Sequence, residues 1–184
     1  MNDEELIEQT LAGDKEAFGR LALKYQERVY NLALPIVGNA EDAMDVVQES
    51  FLQALAHLAS FRRSSRFYTW LYRIAYNCAV GALRKRKKTT SVDAVVEEFG
   101  DPFEADVEPP DAEARRNDDV RLLRAALAKL PEEYRAPLVL REIDGANYEQ
   151  IAEILNVPVG TVRSRLHRAR AALRESLERV GVAD

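Results

Sequence analysis

The side chains best equipped for chemistry in this sequence are arginines near its carboxyl end. Arg163, Arg165, Arg168, Arg170 and Arg174 lie close together, and no acidic residue interrupts them between positions 154 and 174. A guanidinium fork can pair bidentately with guanine O6 and N7, or hold a phosphate. A helix that is merely solvated gains from mixed charges along its face, and this segment forgoes them. Val159, Val162, Leu166, Ala169 and Leu173 recur at helical steps and give the same segment one apolar seam. Thr161, Ser164, Arg165 and Arg168 fall opposite that seam, with Arg163 and His167 flanking. A polar face of this kind suits base edges in a major groove.

The residues just upstream supply the element that would position this face. Asn147 with Gln150 three residues later has the form of a capping box, and Ile151, Ala152 and Leu155 give a short helix one apolar side. Ala152 is small where a second helix must cross closely. Asn156 tolerates the left-handed conformation that a tight turn between two helices needs. The pattern predicts a helix-turn-helix whose second helix enters DNA.

A second basic block spans residues 61–88, FRRSSRFYTWLYRIAYNCAVGALRKRKK, with nine basic residues and no acidic one. Trp70 and Ile74 are expected to pack inward, while Tyr72, Arg73, Tyr76 and Asn77 cluster on the more polar side. Aromatic rings on a basic surface suit unstacked single-stranded bases, at about 1–3 kcal/mol per stacked base. Arg84, Lys85, Arg86, Lys87 and Lys88 would hold a phosphate backbone. A solvated basic face explains the same block without nucleic acid.

The preceding helix carries Glu41, Asp42, Asp45, Gln48 and Glu49. Asp45 and Glu49 are one turn apart and share a face. A metal site in a helical bundle would want Glu-x-x-His motifs, which this sequence lacks. Acid–base catalysis would want a pocket and a perturbed carboxylate. The better reading is an acidic patch that docks a basic partner, and no enzyme activity is expected. His57, His167 and Cys78 are too few and too scattered for a metal centre, so no metal or cofactor is expected.

The whole chain must hold these pieces. Its 184 residues, 47% of them hydrophobic, have a globular composition, and a single cysteine excludes an internal disulfide. The net charge of −5 conceals alternation: residues 1–60 are acidic, 61–88 basic, 89–120 acidic again and 121–184 slightly basic. The acidic amino-terminal segment lacks the features of a secretory signal, and no window is apolar enough to span a membrane. A cytoplasmic protein is expected.

Almost every segment outside residues 89–117 has helical periodicity. Phe18, Leu21, Tyr25, Val29, Leu32 and Ile36 define one helix behind an Asp14 cap, closed by Pro35 and Gly38. Asn39 can cap the next, which would bury Ala43, Val46, Val47, Ser50, Phe51, Ala54, Leu55 and Leu58. A third helix runs from about Phe67 to Lys87, with Gly81 inside it as a possible bend. Pro131 fits the first turn of a later helix, and Pro137 predicts a kink or late start there. The expected fold class is all-α: two small helical domains, 1–88 and 118–184, joined by an acidic linker over 89–117.

Taken in order, these residues resemble a known family. Asp45-x-x-Gln48-Glu49-x-Phe51 is followed by Phe61-Arg62 and by Thr69-Trp70-Leu71-Tyr72-Arg73-Ile74-Ala75-x-Asn77. After the acidic stretch come Leu130-Pro131-Glu132-Glu133-Tyr134-Arg135 and VPVGTVRSRLHRAR. The sequence resembles bacterial sigma factors of the extracytoplasmic-function (ECF) group, within the sigma-70 family. The resemblance covers about residues 4–88 and 118–180.

It implies a dissociable subunit that gives core RNA polymerase its promoter specificity, with no bond chemistry of its own and no small-molecule substrate. Asp45, Gln48, Glu49 and Phe51 would meet the clamp helices of the largest polymerase subunit. Arg62, Arg63, Ser64, Ser65 and Arg66, with Asn77, would capture a flipped base of the −10 element, and Trp70 would buttress that loop. Arg163, Ser164, Arg165, His167 and Arg168 would read the −35 element as duplex. The linker would thread toward the polymerase active-site channel. An anti-sigma partner, often membrane-attached, is implied as well, which would put some molecules at the inner membrane. Arg63-Ser64 stands where family members often carry Gly-Glu or Gly-Asp, which leaves the captured base open. Two other readings remain: a free-standing helix-turn-helix repressor or activator, and an adaptor that binds polymerase without directing initiation.

Overall fold

Local chemistry sets the helix boundaries. The computed structural model describes residues 2–62, 65–90, 122–123 and 125–179. Asn2 caps α1 (Asp3–Leu11): its side chain accepts from the Glu5 amide while the Glu5 carboxylate accepts from the Asn2 amide. Asp14 caps α2 (Lys15–Val37) by accepting from the amides of Glu16 and Ala17. Pro35 does not end α2; it lies inside, two residues before Val37, at the cost of the one helix bond its missing amide proton would make. Gly38 ends it, with a φ of 88° that a side chain would resist. Asn39 then caps α3 (Ala40–His57), which runs into a single 3₁₀ turn at Leu58–Ser60.

The long α4 (Phe67–Thr90) follows and continues through Gly81 without interruption. Helices α2, α3 and α4 pack around one another, and α1 lies on α2. Leu21, Val29, Leu32 and Ile36 meet Ala43, Val46 and Ala54 and Leu71, Ala75 and Ala79, all buried. Leu55 departs from expectation: it points outward and is 45% exposed. Its neighbour Ala54 takes the inward position, so the buried stripe of α3 is narrower than the sequence pattern suggests.

The carboxyl-terminal group begins with a short helical stretch, α5, described at residues 122–123 and 125–129. Pro131 is the N-cap of α6 (Glu132–Glu142), one position earlier than expected, and its carbonyl accepts from the amides of Tyr134 and Arg135. Pro137 is accommodated inside α6, which starts on time at Glu132. Helices α7 (Tyr148–Leu155) and α8 (Val159–Glu178) complete the group. Leu138, Leu140, Ile151, Ile154, Val162, Leu166 and Ala169 form its interior. No strand occurs among the described residues, in keeping with the expected all-α class.

The two groups are not separate bodies. Helix α6 packs on α2, α7 packs on α4, and the buried apolar residues run as one cluster through both groups. Most of the expected linker lies outside the described residues, and α4 extends two residues into it.

A Cβ at Gly81 would meet nothing within 4 Å, so the glycine has no packing role to offset its helix penalty. Gly81→Ala should therefore stabilise the protein by about 1 kcal/mol. A urea unfolding series followed by circular dichroism checks this, and a lower midpoint would contradict it.

Candidate nucleic-acid interface

The turn between α7 and α8 is built as its sequence requires. Asn147 and Gln150 form the reciprocal capping box that starts α7. Asn156 closes the helix with φ 53° and ψ 50°, the left-handed conformation, and the Val157 amide donates back to the Ala152 carbonyl. Pro158 then caps α8, where a missing amide proton costs nothing. Val162, Leu166 and Ala169 face the interior. The opposite face carries Arg163, Ser164, His167 and Arg168, all exposed, and Thr161 and Arg165 at its half-buried edges.

Two of these arginines touch α6 without leaving the surface. Arg165 Nη2 donates to Glu133 Oε2 at 3.4 Å, and Arg168 Nη1 donates to the Tyr134 hydroxyl at 3.4 Å. Both contacts are long, and pairs this exposed contribute little stability, so they orient the guanidinium groups and yield readily to a stronger anion. Arg170 turns away and donates to Glu142 at 2.7 Å.

The face of α4 differs from its sequence reading. Arg73 and Asn77 are exposed, as expected of the polar side. Tyr72 is fully buried and Tyr76 half-buried. The Tyr72 hydroxyl donates to Asp144 Oδ1 at 2.9 Å, and the Tyr76 hydroxyl donates to Glu132. Both acceptors belong to the carboxyl-terminal group, which covers this side of α4. A helical wheel drawn on α4 alone has no means of showing that cover. Burial is the first cause that raises the pKa of both phenols, with their carboxylate partners adding to it. Tyr68, whose ring packs tilted against that of Tyr72 with centroids 4.2 Å apart, is pushed up to about 12 for the same reason.

Of the loop before α4, Arg62, Ser65 and Arg66 are described, while Arg63 and Ser64 lie outside the described residues. Phe61 and Phe67 bracket it, and both pack on Trp70 with ring centroids 5.1 and 5.7 Å away. Trp70 therefore braces both ends of the loop. Ser65 and Arg66 line an open cleft of about 920 Å³ together with Arg28, Asp144, Asn147, Glu149 and Glu153.

On α3, Asp45, Gln48 and Glu49 are exposed together. Phe51 is not part of that surface; its ring is buried edge-on against Phe18, with centroids 6.3 Å apart. Two residues that sequence reasoning passed over complete the face: Met44, 60% exposed, and Leu52, 58% exposed. Their spacing from Asp45 and Gln48 on the helical wheel was the available signal. An acidic face with exposed apolar side chains fits a protein partner better than solvent. Among the described residues no cluster of His, Cys, Asp or Glu could hold a metal ion, and no helix is long and apolar enough to cross a membrane.

Comparison with known proteins identifies the family. Residues 21–89 match the family model described as Sigma-70 region 2, and residues 121–173 match Sigma-70, region 4. RNA polymerase sigma-H factor of Pseudomonas aeruginosa is 42% identical over 96% of this chain and 94% of its own. The ECF RNA polymerase sigma-E factor of Haemophilus influenzae is 38% identical over 97% and 96%. The chain belongs to the ECF sigma factors of the sigma-70 family. Such proteins are transcription initiation factors.

Two solved structures share its architecture at 27% identity. One is CnrH in complex with the cytosolic domain of CnrY, with a TM-score of 0.71 over 96% of this chain and 97% of the other. The other is RpoE of Bartonella quintana in complex with the anti-sigma factor NepR, with a TM-score of 0.72 over 88% and 96%. Region 2 of this sigma factor thus comprises most of α2 through α4, and region 4 comprises α5, α6, α7 and most of α8.

The left-handed turn at Asn156 fixes how α8 is presented. Asn156→Gly should leave stability nearly unchanged, whereas Asn156→Ala should cost about 1 kcal/mol. Urea midpoints for the two variants decide this, and equal midpoints would show that the turn is not under that constraint.

Proposed function

We propose that α8 of this ECF sigma factor reads the −35 promoter element as duplex, and that α4 with its preceding loop reads the −10 element as single strand. The observation that carries the proposal is the exposed face of α8. It holds Arg163, Ser164, His167 and Arg168 on the second helix of a helix-turn-helix, with Thr161 and Arg165 at its edges. Arg62, Arg63, Ser64, Ser65 and Arg66, with Asn77, would receive a base of the opened strand. Tyr72, Arg73 and Tyr76 would support the neighbouring bases. Major-groove hydrogen bonds recognise closed DNA, whereas stacking pockets favour DNA already opened. Binding energy for the unpaired strand then offsets melting without ATP.

Asp45, Gln48 and Glu49 would dock on the clamp helices of the largest polymerase subunit, assisted by the exposed Met44 and Leu52. Phe51 supports that face from beneath. The protein itself catalyses nothing and takes no cofactor; catalysis belongs to the polymerase. The functional units are 1–88 and 118–184, with 89–117 as the connecting segment. The protein works in the cytoplasm and is held inactive by an anti-sigma factor. Two relatives of similar architecture, each solved with such a partner or its cytosolic domain, support that part of the reading.

Run-off transcription with purified core polymerase on a randomised promoter library is the direct test. Initiation that depends on the protein, at a shared −35/−10 pair, is expected. Specific duplex binding by the protein alone, without initiation, would move the assignment to a free-standing repressor. Arg168→Ala should lower promoter-specific transcription by about tenfold while polymerase binding persists. Asp45→Lys with Glu49→Lys should do the reverse, weakening capture by core polymerase but not duplex binding. Unchanged capture would remove α3 from the polymerase contact.

A further inference from the structure

The two arginines of α8 that touch the start of α6 meet acceptors of different kinds. Glu133 and Tyr134 are neighbours in the first turn of α6. Arg165 and Arg168, three positions apart, share one side of α8 and reach one of them each. Arg165 faces a carboxylate, so part of its charge is compensated before DNA arrives. Arg168 faces a phenol, an uncharged acceptor at neutral pH. That contact takes one N–H of the guanidinium fork and leaves the charge and the other donors free.

Tyr134 is a firm support for such a contact. Its amide donates to the Pro131 carbonyl at 2.9 Å, and its ring is half-buried against the core. The next residue, Arg135, is buried and ties the start of α6 to the carbonyls of Ala128 and Leu130. The phenol oxygen is thus carried by a fixed ring, whereas Arg168 is a long, exposed side chain with many rotamers. At a DNA surface such an arginine has two competing targets. Phosphates hold charge without regard to sequence, while a guanine edge requires the fork in one plane.

We propose that Tyr134 is a positioning residue for −35 recognition: its hydroxyl holds the Arg168 fork in the orientation that reads a guanine in the major groove. The proposal rests on the assignment of α8 to the −35 duplex. Its energetic logic is a difference between two bound poses. An Arg168 that swings to a phosphate gives up the phenol; one that reads guanine O6 and N7 with the outward edge of its fork keeps it. Part of the cost of ordering the side chain is also met before DNA arrives. Glu133 acts differently, because its ion pair must be given up before Arg165 engages DNA at full charge.

The test uses holoenzyme assembled from purified core polymerase and the full chain, as wild type, Tyr134→Phe, Arg168→Ala, the double variant and Glu133→Gln. Run-off transcripts from a promoter library randomised across the −35 element are sequenced, and base preference is scored position by position. The Tyr134 hydroxyl contacts an exposed guanidinium, so its removal orphans no buried group, and urea midpoints verify that each variant stays folded. Tyr134→Phe should lower the preference for guanine at one −35 position by about three- to fivefold and leave the other positions unchanged. Arg168→Ala should abolish the preference at that same position, and adding Tyr134→Phe to it should change nothing further. Glu133→Gln should leave the preference at that position as in wild type.

Unchanged preferences in Tyr134→Phe, with a loss at one position in Arg168→Ala, would overturn the positioning role and leave the −35 reading intact. A loss spread evenly over all positions, an equal loss in Glu133→Gln, or a further loss in the double variant would show a general loosening of α6 and overturn it too. No change of preference in Arg168→Ala would remove Arg168 from base reading, and the proposal with it.

Discussion

Arg135 places a permanently charged group in a position with almost no solvent, and much of the architecture follows from how that charge is satisfied. Its guanidinium donates to the carbonyls of Ala128 and Leu130 at the end of α5, and to those of Pro35 and Ile36 at the end of α2. Burial lowers its pKa, yet a guanidinium has no neutral form to retreat to near neutral pH, so every donor must find an acceptor. Two helix ends that would otherwise expose unpaired carbonyls supply them. One side chain thereby fixes the turn into α6 and the contact between region 4 and region 2.

The Asp144 contact obeys the opposite logic. Burial raises the pKa of this carboxyl, while the Tyr72 hydroxyl and the Arg28 guanidinium hold it down. Its second oxygen is buried without a partner, as is the hydroxyl of Tyr68. A buried polar contact left partly unsatisfied is costly compared with the same groups in water. Arg135 and Asp144 thus join the two regions in different ways: the first gives its donors to backbone carbonyls, and the second accepts from the side chains of Tyr72 and Arg28. An interface of this kind suits a protein that must be stable when idle and still able to rearrange.

The polar face of α8 and the aromatic face of α4 differ in how they are covered. The outward face of α8 is exposed, and among the described residues Arg165 and Arg168 reach Glu133 and the Tyr134 hydroxyl in long contacts of 3.4 Å. The aromatic face of α4 lies beneath α6 and the α6–α7 turn. The acidic and apolar face of α3 stays open, with Met44 and Leu52 beside Asp45 and Gln48.

The sequence by itself determined everything that depends on neighbours a few positions away. The caps at Asp14, Asn39 and Asn147, the left-handed turn at Asn156, the apolar seam of α8 and its arginine face all follow from helical spacing and local hydrogen bonding. The family motifs are legible for the same reason. Departures from the local pattern are few: Pro35 and Pro137 stand inside their helices, and Leu55 points outward while Ala54 faces the interior. Only the tertiary structure decided which polar faces meet solvent. Tyr72 reads as surface on its own helix and is buried because Asp144, 72 positions away, comes to it. Periodicity encodes which side of a helix is apolar, but it carries no record of a second helix group whose acceptors can make a polar tyrosine affordable inside.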